Sequence, residues 1–452
     1  MEIILIGCGK VGRALAHQLC EEGHSITVVD ISRQKVDTIN EELDVMGIVG
    51  NGSSIGVLMD AGLENADVLI AVTGSDELNL LCCMFAKKAG HCHTVARVRN
   101  PEYSRELDFI KQQLGISAII NPELAAAKEM SRLMEFPAAR KIDTFAEGRV
   151  QLIKFVLETD VLDGVALKEV PSRFGDVLIC AVERDKDVSI PGGDFVLRKG
   201  DIVTFIATKK KAQAFFEKLS LPTKPVHSAL IVGGGTIGYY LAKDLVSKSI
   251  PVRIVEKNPA RCEQLAEDLG SRAVVLQGDG SDRRMLMSEG IQHTGAFVSL
   301  TGLDEENILL GLFAKKHNPN AKIITKINRL EFDDILDTMD LGSIIYPKFM
   351  TCDYILQYVR ALQNAAGNKV KTLYRILDDR VEALEFFVHE TSPVTGVPLY
   401  KLRLKSNQLI CCITRGDQII IPRGSDTLQV GDSVVVVTLE HGLNDVRDIL
   451  HS

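Results

Sequence analysis

The chain has 452 residues, of which 46% are hydrophobic and 25% charged, and its net charge is −8 at pH 7. This length allows roughly two to four domains of about 100 to 200 residues each, and the composition excludes a largely disordered chain. The negative charge argues against nucleic acid as the main partner. The longest apolar runs, such as residues 434–437, are far shorter than the roughly 20 residues that cross a bilayer.

The N-terminus and the cysteines both favour a cytoplasmic protein. A predicted strand follows Met1 at once, with no positively charged leader. The ten cysteines include the adjacent pairs Cys82–Cys83 and Cys411–Cys412 but show no C-x-x-C spacing. We therefore expect reduced cysteines in the core rather than disulfides or metal ligands.

The chain opens with the pattern of a nucleotide-binding domain. An apolar strand at residues 2–6 leads into a glycine-rich turn, and a second strand, residues 25–29, ends at Asp30. The turn consists of Gly7, Cys8, Gly9, Lys10, Val11 and Gly12. Such glycines permit a tight turn and close approach of a pyrophosphate, which binds amides at a helix N-terminus, while the acid binds ribose hydroxyls. We predict a dinucleotide site here, and the acid favours NAD over NADP.

Beyond Asp30, strands and helices alternate as in a doubly wound parallel sheet. The predicted strands lie at 45–49, 68–72, 94–98 and 118–120. One predicted helix ends near residue 43, and the others span 55–61, 77–89 and 101–114. Asp76 is expected to cap the helix 77–89. A further helix, 123–136, carries an apolar stripe at Leu124, Ala127, Met130, Leu133 and Met134. This stripe belongs either to the intramolecular core or to a contact with a second subunit.

A smaller region of different composition follows. Short predicted strands at 152–156, 177–182 and 202–207 alternate with tight turns, and a helix at 209–219 closes the region. Residues 220–225, which contain two prolines, form the predicted linker to the second half.

The second half repeats the first. Its glycine-rich turn consists of Gly233, Gly234, Gly235, Thr236, Ile237 and Gly238, and Glu256 follows Asp30 by the same 226 positions that separate Gly233 from Gly7. We predict an α/β protein with two Rossmann-type doubly wound parallel sheets, each followed by a small α+β domain. The predicted boundaries are 1–140, 141–221, 227–368 and 369–452.

Other repeated motifs extend both predicted sites. Asn51–Gly52 corresponds to Asp279–Gly280, and Thr73–Gly74 corresponds to Thr301–Gly302. The two Thr-Gly pairs close the fourth strand at the carboxyl edge of the sheet, where open α/β folds bind ligands. Asp304 corresponds to Asp76 and is also expected to be a helix cap.

The sequence offers no catalytic or metal-binding arrangement. His91-Cys92-His93 has no third partner nearby and is expected to be surface polar residues. Neither a nucleophile elbow nor a pair of hydrolytic carboxylates is evident.

The order of these motifs, with Asn79 and Asn307 completing T-G-x-D-E-x-N, resembles the TrkA family of regulatory subunits of Trk-type bacterial potassium uptake, which have tandem RCK domains. The resemblance covers nearly the whole chain. It implies a peripheral protein on the cytoplasmic face of the membrane that binds NAD(H) and, in some relatives, ATP or ADP. It also implies a dimer or tetramer forming a ring, and an integral membrane potassium-conducting Trk-type subunit as the partner.

The resemblance also implies roles for particular residues. Asn51 and Asp279 would face the adenosine, and Arg97 and its nearest counterpart Lys326 would pair with phosphate, although a salt bridge at the strand end is an alternative. Lys10 occupies a position where relatives carry an arginine directed at a terminal phosphate, and Thr236 replaces it in the second half. We therefore predict that the first site tolerates polyphosphate better, unless Lys10 faces solvent.

Two other functions compete with this one. An NAD-dependent oxidoreductase would need a substrate domain with a catalytic residue beside the nicotinamide, and none can be nominated here. A cytosolic nucleotide sensor with a soluble partner is the third possibility.

Overall fold

A computed structural model of the chain describes residues 1–103, 106–328, 336, 339, 341–365, 370–376, 380–440, 442–443 and 445–451. The residues fall into two compact units. The first comprises Met1–Ser131 and His227–Val359, and the second comprises Arg132–Val226 and Arg360–Ser452. Each half of the chain therefore contributes to both units. The predicted boundary between residues 368 and 369 lies outside the described residues.

The first sheet is six-stranded and parallel, with the order β3-β2-β1-β4-β5-β6. Its strands are β1 (Glu2–Ile6), β2 (Ser25–Asp30), β3 (Met46–Val49), β4 (Val68–Ala71), β5 (His93–Arg97) and β6 (Ala118–Ile120). The helices are α1 (Lys10–Glu21), α2 (Arg33–Glu42), α3 (Ile55–Asp60), α4 (Asp76–Ala89) and α5 (Leu107–Leu114). The strand order reverses between β1 and β4, which is where such sheets bind ligands. The predicted Rossmann topology is confirmed.

Helix α6 (Pro122–Glu135) leads into a five-stranded antiparallel sheet with the order β10-β9-β11-β8-β7. Its strands are β7 (Ala139–Phe145), β8 (Val150–Val156), β9 (Leu178–Arg184), β10 (Asp187–Ser189) and β11 (Ile202–Ala207), with helices α7 (Val170–Phe174) and α8 (Lys209–Lys218). Phe155, Phe205, Phe215 and Phe216 are fully buried and pack edge to face or tilted. These rings hold α8 on the sheet.

The second parallel sheet repeats the first, with the order β14-β13-β12-β15-β16-β17. Its strands are β12 (Ala229–Val232), β13 (Val252–Glu256), β14 (Ala273–Gln277), β15 (Ala296–Ser299), β16 (Lys322–Lys326) and β17 (Ser343–Ile345). The helices described are α9 (Thr236–Ser247), α10 (Pro259–Leu269), α11 (Arg283–Ser288), α12 (Asp304–His317) and α13 (Pro347–Ala365).

The second antiparallel sheet has the order β18-β19-β22-β20-β21. Its strands are β18 (Val370–Ile376), β19 (Val381–Phe387), β20 (Gln408–Arg415), β21 (Gln418–Ile420) and β22 (Ser433–Thr438). Arg415 binds Asp432 through two hydrogen bonds of 2.8 Å, as Arg184 binds Asp201 in the other small sheet. This repeated ion pair confirms that the small domain is duplicated.

Four of the five residues in the apolar stripe of α6 are buried within this chain, and Leu124 is half-buried. Ala127, Met130, Leu133 and Met134 are fully buried, as are Leu356 and Val359 on α13. On α6, the Ser131 hydroxyl donates to the Asp244 carboxylate and accepts from Lys248 at 2.7 Å. The stripe therefore belongs to the intramolecular core.

Three local predictions are wrong. Helix α5 begins at Leu107 rather than Pro101, because the Asn100 side chain accepts from the Glu102 amide at 3.0 Å and forms a turn. Ser75, not Asp76, caps α4, and its hydroxyl accepts from the Leu78 amide at 3.2 Å. Asp304 is the first residue of α12 and is not its cap.

The cysteines and helices are consistent with the sequence analysis in other respects. All ten cysteines are free, and eight of them are buried. Burial raises the pKa of the Cys82 thiol to about 12, so such thiols stay protonated. Cys92 is among the buried ones, which corrects its assignment to the surface. Within the described residues, none of the helices combines the length and apolar character that a membrane-spanning segment needs.

Candidate functional site

The first phosphate turn joins β1 to α1, and its three glycines have different structural roles. Gly7 has φ +103°, a conformation that other residues rarely adopt. A Cβ on Gly12 would lie 1.8 Å from the Gly7 carbonyl oxygen, so this glycine lets the helix pack against the turn. A Cβ on Gly9 would meet no atom within 4 Å. Gly9 therefore borders open space at the helix N-terminus, where an anion is favoured.

The second phosphate turn has the same construction between β12 and α9. Gly233 has φ +109°, and a Cβ on Gly238 would lie 2.2 Å from the Gly233 carbonyl oxygen. A Cβ on Gly235, like one on Gly9, would meet open space. The glycine pattern thus builds two equivalent cradles.

Each predicted ribose-binding acid is fixed by its own phosphate turn. The Asp30 carboxylate accepts from the Cys8 amide at 2.8 Å and from the Ser32 amide at 2.9 Å. Glu256 accepts from the Gly234 and Asn258 amides, both at 2.8 Å. These bonds hold both carboxylates beside the glycines, at the end of the second strand, where a ribose hydroxyl could donate to them.

Asn51 and Asp279 form matching turns after the third strand of each sheet. Each side-chain oxygen accepts from the amide of the serine two residues on, at 3.0 Å for Asn51 and 2.9 Å for Asp279. Asp279 also binds Lys257 at 2.8 Å. The Lys257 ammonium and the bonds to Ser281 hold the pKa of Asp279 well below its usual range. Gly52 and Gly280 lie directly beneath Ile6 and Val232, where a Cβ would clash.

A buried asparagine fixes each Thr-Gly pair at the end of the fourth strand. The Asn79 side-chain oxygen accepts from the Thr73 amide at 2.8 Å, and its nitrogen donates to the Arg97 carbonyl at 2.8 Å. Asn307 makes the same two bonds, to Thr301 at 2.8 Å and to Lys326 at 3.0 Å. The asparagine in the repeated motif therefore joins the ends of two neighbouring strands at the ligand edge.

The two acids predicted as caps bind backbone amides from the loop that follows the fifth strand of each sheet. Asp76 accepts from the Arg99 amide at 2.8 Å and the Asn100 amide at 2.7 Å. Asp304 accepts from the Asn328 amide at 3.0 Å. Both carboxylates thus shape the loop after the fifth strand.

Both phosphate turns open into one cavity of about 660 Å³, called here the shared cavity. Residues of the two turns line it together with the first residues of α6 and α13. The helix N-termini at Lys10, Pro122, Thr236 and Pro347 therefore all border this space. Aligned helix N-termini favour anions.

The charged lining of the shared cavity has an excess of cations. Five basic side chains and two acidic ones border it: Lys10, Lys35, Arg97, Lys326, Lys348, Glu123 and Asp304. This excess and the helix N-termini suit a ligand with several phosphate charges. The sequence analysis did not nominate three of these residues, Lys35, Glu123 and Lys348. Their positions could have indicated them, because Lys35 lies about one helical turn after Asp30, and Glu123 and Lys348 directly follow Pro122 and Pro347.

Burial perturbs the central ionisable groups of this cavity. The Arg97 guanidinium lies 3.7 Å from the Glu123 carboxylate. Burial raises the pKa of Glu123, and the charge of Arg97 opposes the change. Burial lowers the pKa of Lys326, opposed by Asp304 and Glu123. Groups shifted by burial beside a specific charged partner are typical of a functional site.

A second cavity, of about 750 Å³, lies beside the second acid and is called here the outer cavity. Glu256, Asn258 and Arg261 line one part, and Asn100 and Pro101 from the first half line another. Arg261 donates to the Gly234 carbonyl at 2.8 Å. The outer cavity, beside the predicted second nucleotide site, is therefore bordered by both halves of the chain.

Comparison with known families gives a consistent result. The TrkA-N domain matches residues 3–122 and 229–347, and the TrkA-C domain matches residues 153–220 and 383–451. The chain belongs to the TrkA family. The two TrkA-N matches contain the two parallel sheets, and the two TrkA-C matches contain most strands of the antiparallel sheets.

Relatives within the TrkA family align over almost the full length. The Trk system potassium uptake protein TrkA homolog of Archaeoglobus fulgidus is 32% identical over 453 residues, which cover 99% of this chain and 100% of that protein. The Trk system potassium uptake protein TrkA of Haemophilus influenzae is 32% identical over 96% of this chain and 95% of that protein.

Solved structures show the same fold at lower identity. The GsuK channel bound to NAD superposes with a TM-score of 0.63 at 18% identity, over 97% of this chain and 76% of that one. The GsuK RCK domain superposes with a TM-score of 0.61 at 19% identity, over 96% of this chain and 92% of that one. The tandem TrkA-type arrangement therefore matches a tandem RCK structure.

Proposed function

We propose that this chain is a nucleotide-sensing regulatory subunit that gates an integral membrane Trk-type potassium-uptake subunit. Family membership supports the potassium system, because the aligned relatives are Trk system potassium uptake proteins. The observation that carries the sensing role is the shared cavity, into which two phosphate turns with open glycine positions converge.

Each half would bind one nucleotide in the same way. The amides of Gly9, Lys10 and Val11 would receive phosphate in the first site, and those of Gly235, Thr236 and Ile237 in the second. Asp30 and Glu256 would accept from ribose hydroxyls, and their negative charge would disfavour the extra phosphate of NADP. NAD(H) is therefore the proposed ligand, and ATP or ADP is proposed for the first site through Lys10.

Arg97 and Lys326 would contact the distal part of the ligand. Both end the fifth strand of their sheets and line the shared cavity, next to Thr73–Gly74 and Thr301–Gly302 respectively. Since two ligands would present charge to one cavity, different nucleotides would favour different arrangements of the two halves. A nucleotide can do work on a partner only if it binds one arrangement of the two halves more tightly than the other.

The partner and location follow from the family in this proposal. The chain would act on the cytoplasmic face of the membrane, as a dimer or tetramer forming a ring. It would be a regulator rather than an enzyme. An oxidoreductase would use a group such as a lysine to transfer a proton beside the nicotinamide, whereas Arg97 and Lys326 are proposed here to bind the anionic part of the ligand.

Affinity purification tests the partner. Tagged protein is recovered from detergent-solubilised membranes of its host, alongside a Gly9→Val, Gly235→Val variant that fills both open positions. We expect a potassium transporter to copurify with both, and NADH, titrated by calorimetry, to bind only the unaltered protein. Recovery of the chain alone, or turnover of NADH with a substrate, would contradict the regulatory role.

A further inference from the structure

The segment of residues 99–103 belongs to the first half but borders the second nucleotide site. Asn100, Pro101 and Glu102 line the outer cavity opposite Glu256 and Arg261. The first Rossmann sheet therefore supplies a wall for the site of the second sheet. A movement of this wall would change the affinity of the second site.

One end of the segment is fixed by residues of the first site. The Arg99 guanidinium donates to the Gly74 carbonyl at 2.7 Å. Asp76 accepts from the Arg99 and Asn100 amides at 2.8 and 2.7 Å. Gly74 lines the shared cavity and is a proposed nucleotide contact. A ligand that orders Gly74 would also order Arg99.

The other end of the connection is a helix of the second site. The Tyr240 hydroxyl donates to the Arg99 carbonyl at 3.2 Å and accepts from the side-chain nitrogen of Asn121 at 3.0 Å. Tyr240 is 4% exposed and lies on α9, the helix whose N-terminus forms the second phosphate turn. Arg99 thus bonds to the carboxyl edge of one sheet through its side chain and to the phosphate helix of the other through its carbonyl.

Among the residues that the structure describes, the second half shows no such connection at the corresponding position. Asn328 replaces Arg99 and bonds to Asp304 through its amide and its side chain, at 3.0 and 2.9 Å. Its shorter side chain has no guanidinium to reach the Gly302 carbonyl. Within the described part of the chain, the arrangement around Arg99 therefore occurs in the first half.

We propose that Arg99 couples the two nucleotide sites, so that a nucleotide in the first site strengthens binding in the second. This inference rests on the proposed nucleotide-binding function. Ligand in the first site holds Gly74, and Arg99 then holds residues 100–102 against the second site before its ligand arrives, which lowers the ordering cost of the second binding step. Linkage makes the effect reciprocal, so ligand in the second site strengthens the first equally.

A thermodynamic cycle with NADH measures this coupling. Gly9→Val blocks the first site and Gly235→Val blocks the second, so each variant keeps one intact site. The two stepwise association constants of the wild type are multiplied together, and this product is divided by the product of the two single-site association constants. The resulting ratio measures the coupling. We expect the wild-type product to be larger by about fivefold or more, the lower range of typical allosteric coupling. With Arg99→Ala added to all three proteins, we expect the ratio to fall close to one.

Tyr240→Phe provides an independent test, because it removes the hydroxyl that bonds to Arg99 and Asn121 and keeps the ring. It should reduce the ratio even if Arg99→Ala does not fold. Arg272→Ala changes an exposed arginine of the second half that lines neither cavity, and it should keep the wild-type ratio. A wild-type ratio of one, or a ratio that Tyr240→Phe leaves unchanged, overturns the coupling and leaves the proposed function intact. A wild-type ratio below one that rises with salt also overturns the coupling, because it indicates that the phosphates of the two ligands repel each other in the shared cavity. Absence of NADH binding in the wild type overturns both.

Discussion

The Arg97 guanidinium and the Glu123 carboxylate lie 3.7 Å apart in the cavity that both phosphate turns share. Arg97 ends a strand of the first sheet, and Glu123 is the second residue of α6. The acid therefore offsets a cation at the place where the proposed ligand brings negative charge. This relationship has a direct consequence for affinity.

Replacing Glu123 with glutamine should strengthen nucleotide binding. The substitution removes a negative charge from the cavity and frees Arg97 for phosphate. Because like charges that face each other at an interface weaken binding and about 1.4 kcal/mol corresponds to tenfold, we expect NADH to bind the first site roughly tenfold more tightly, measured by calorimetry in the Gly235→Val background. Glu129→Gln, on the same helix but outside the cavity lining, is the control. Equal or weaker binding by Glu123→Gln would show that Arg97 does not face the ligand.

Two glycines of one turn should respond differently to alanine. Gly12→Ala places a methyl 1.8 Å from a backbone oxygen, so we expect it to lower the free energy of unfolding by about 3 kcal/mol, the upper range for overpacking. Gly9→Ala meets open space and should leave unfolding almost unchanged while weakening NADH binding. Urea unfolding and NADH titration of both variants separate the two roles. Full NADH affinity in Gly9→Ala would place the ligand elsewhere.

Lys10 should distinguish the first site from the second. It borders the shared cavity at the N-terminus of α1, where Thr236 is its counterpart on α9. We expect Lys10→Ala to weaken ATP binding to the first site more than NADH binding, because ATP carries an additional phosphate charge. Thr236→Ala is the matched control. Equal ATP affinity of wild type and Lys10→Ala would mean that this lysine only faces solvent.

The second site should lose affinity at alkaline pH before the first. Burial lowers the pKa of Lys326, so this side chain loses its charge, and its attraction for phosphate, as the pH rises through that lowered value. Arg97 remains charged over the same range. A hydrogen bond to a charged group contributes about 1.5–3 kcal/mol, so we expect the second site to lose roughly tenfold or more in NADH affinity.

Single-site proteins test this pH dependence. NADH affinity is measured between pH 7 and 9.5 in Gly9→Val, which keeps the second site, and in Gly235→Val, which keeps the first. Lys326→Arg should flatten the profile of the second site. Identical profiles for the two unsubstituted sites would contradict a role for Lys326.

Much of the fold was predictable because its determinants are local and occur twice. The glycine turns, the strand-terminal acids Asp30 and Glu256, and the alternation of strands and helices define both parallel sheets. One error arose from a local turn, at the start of α5, and another arose where distant groups decide the structure. Asp76 has the residue type and the position of a helix cap, but its carboxylate accepts from backbone amides 23 and 24 residues away. Short strands such as Asp187–Ser189 have too few residues to show a periodicity.

The shared cavity was less accessible to prediction than the turns that border it. Each cradle follows from a contiguous motif, but their meeting in one space depends on how the two halves associate. Glu123 and Lys348 follow a proline at the start of corresponding helices, and that position alone indicates a helix start, not a ligand. Arg99 likewise gains its role only from the tertiary proximity of Gly74 and Tyr240.

Potassium flux gives the most direct test of the regulatory function. The Trk-type membrane subunit of the same host is reconstituted in liposomes with this chain, and rubidium uptake is followed while NAD⁺, NADH, ATP and ADP are added in turn. We expect at least one nucleotide to change the uptake rate, and the Gly9→Val, Gly235→Val variant to bind the membrane subunit without that response. Uptake that ignores every nucleotide at saturating concentration, with the unaltered chain bound, would contradict nucleotide-dependent gating.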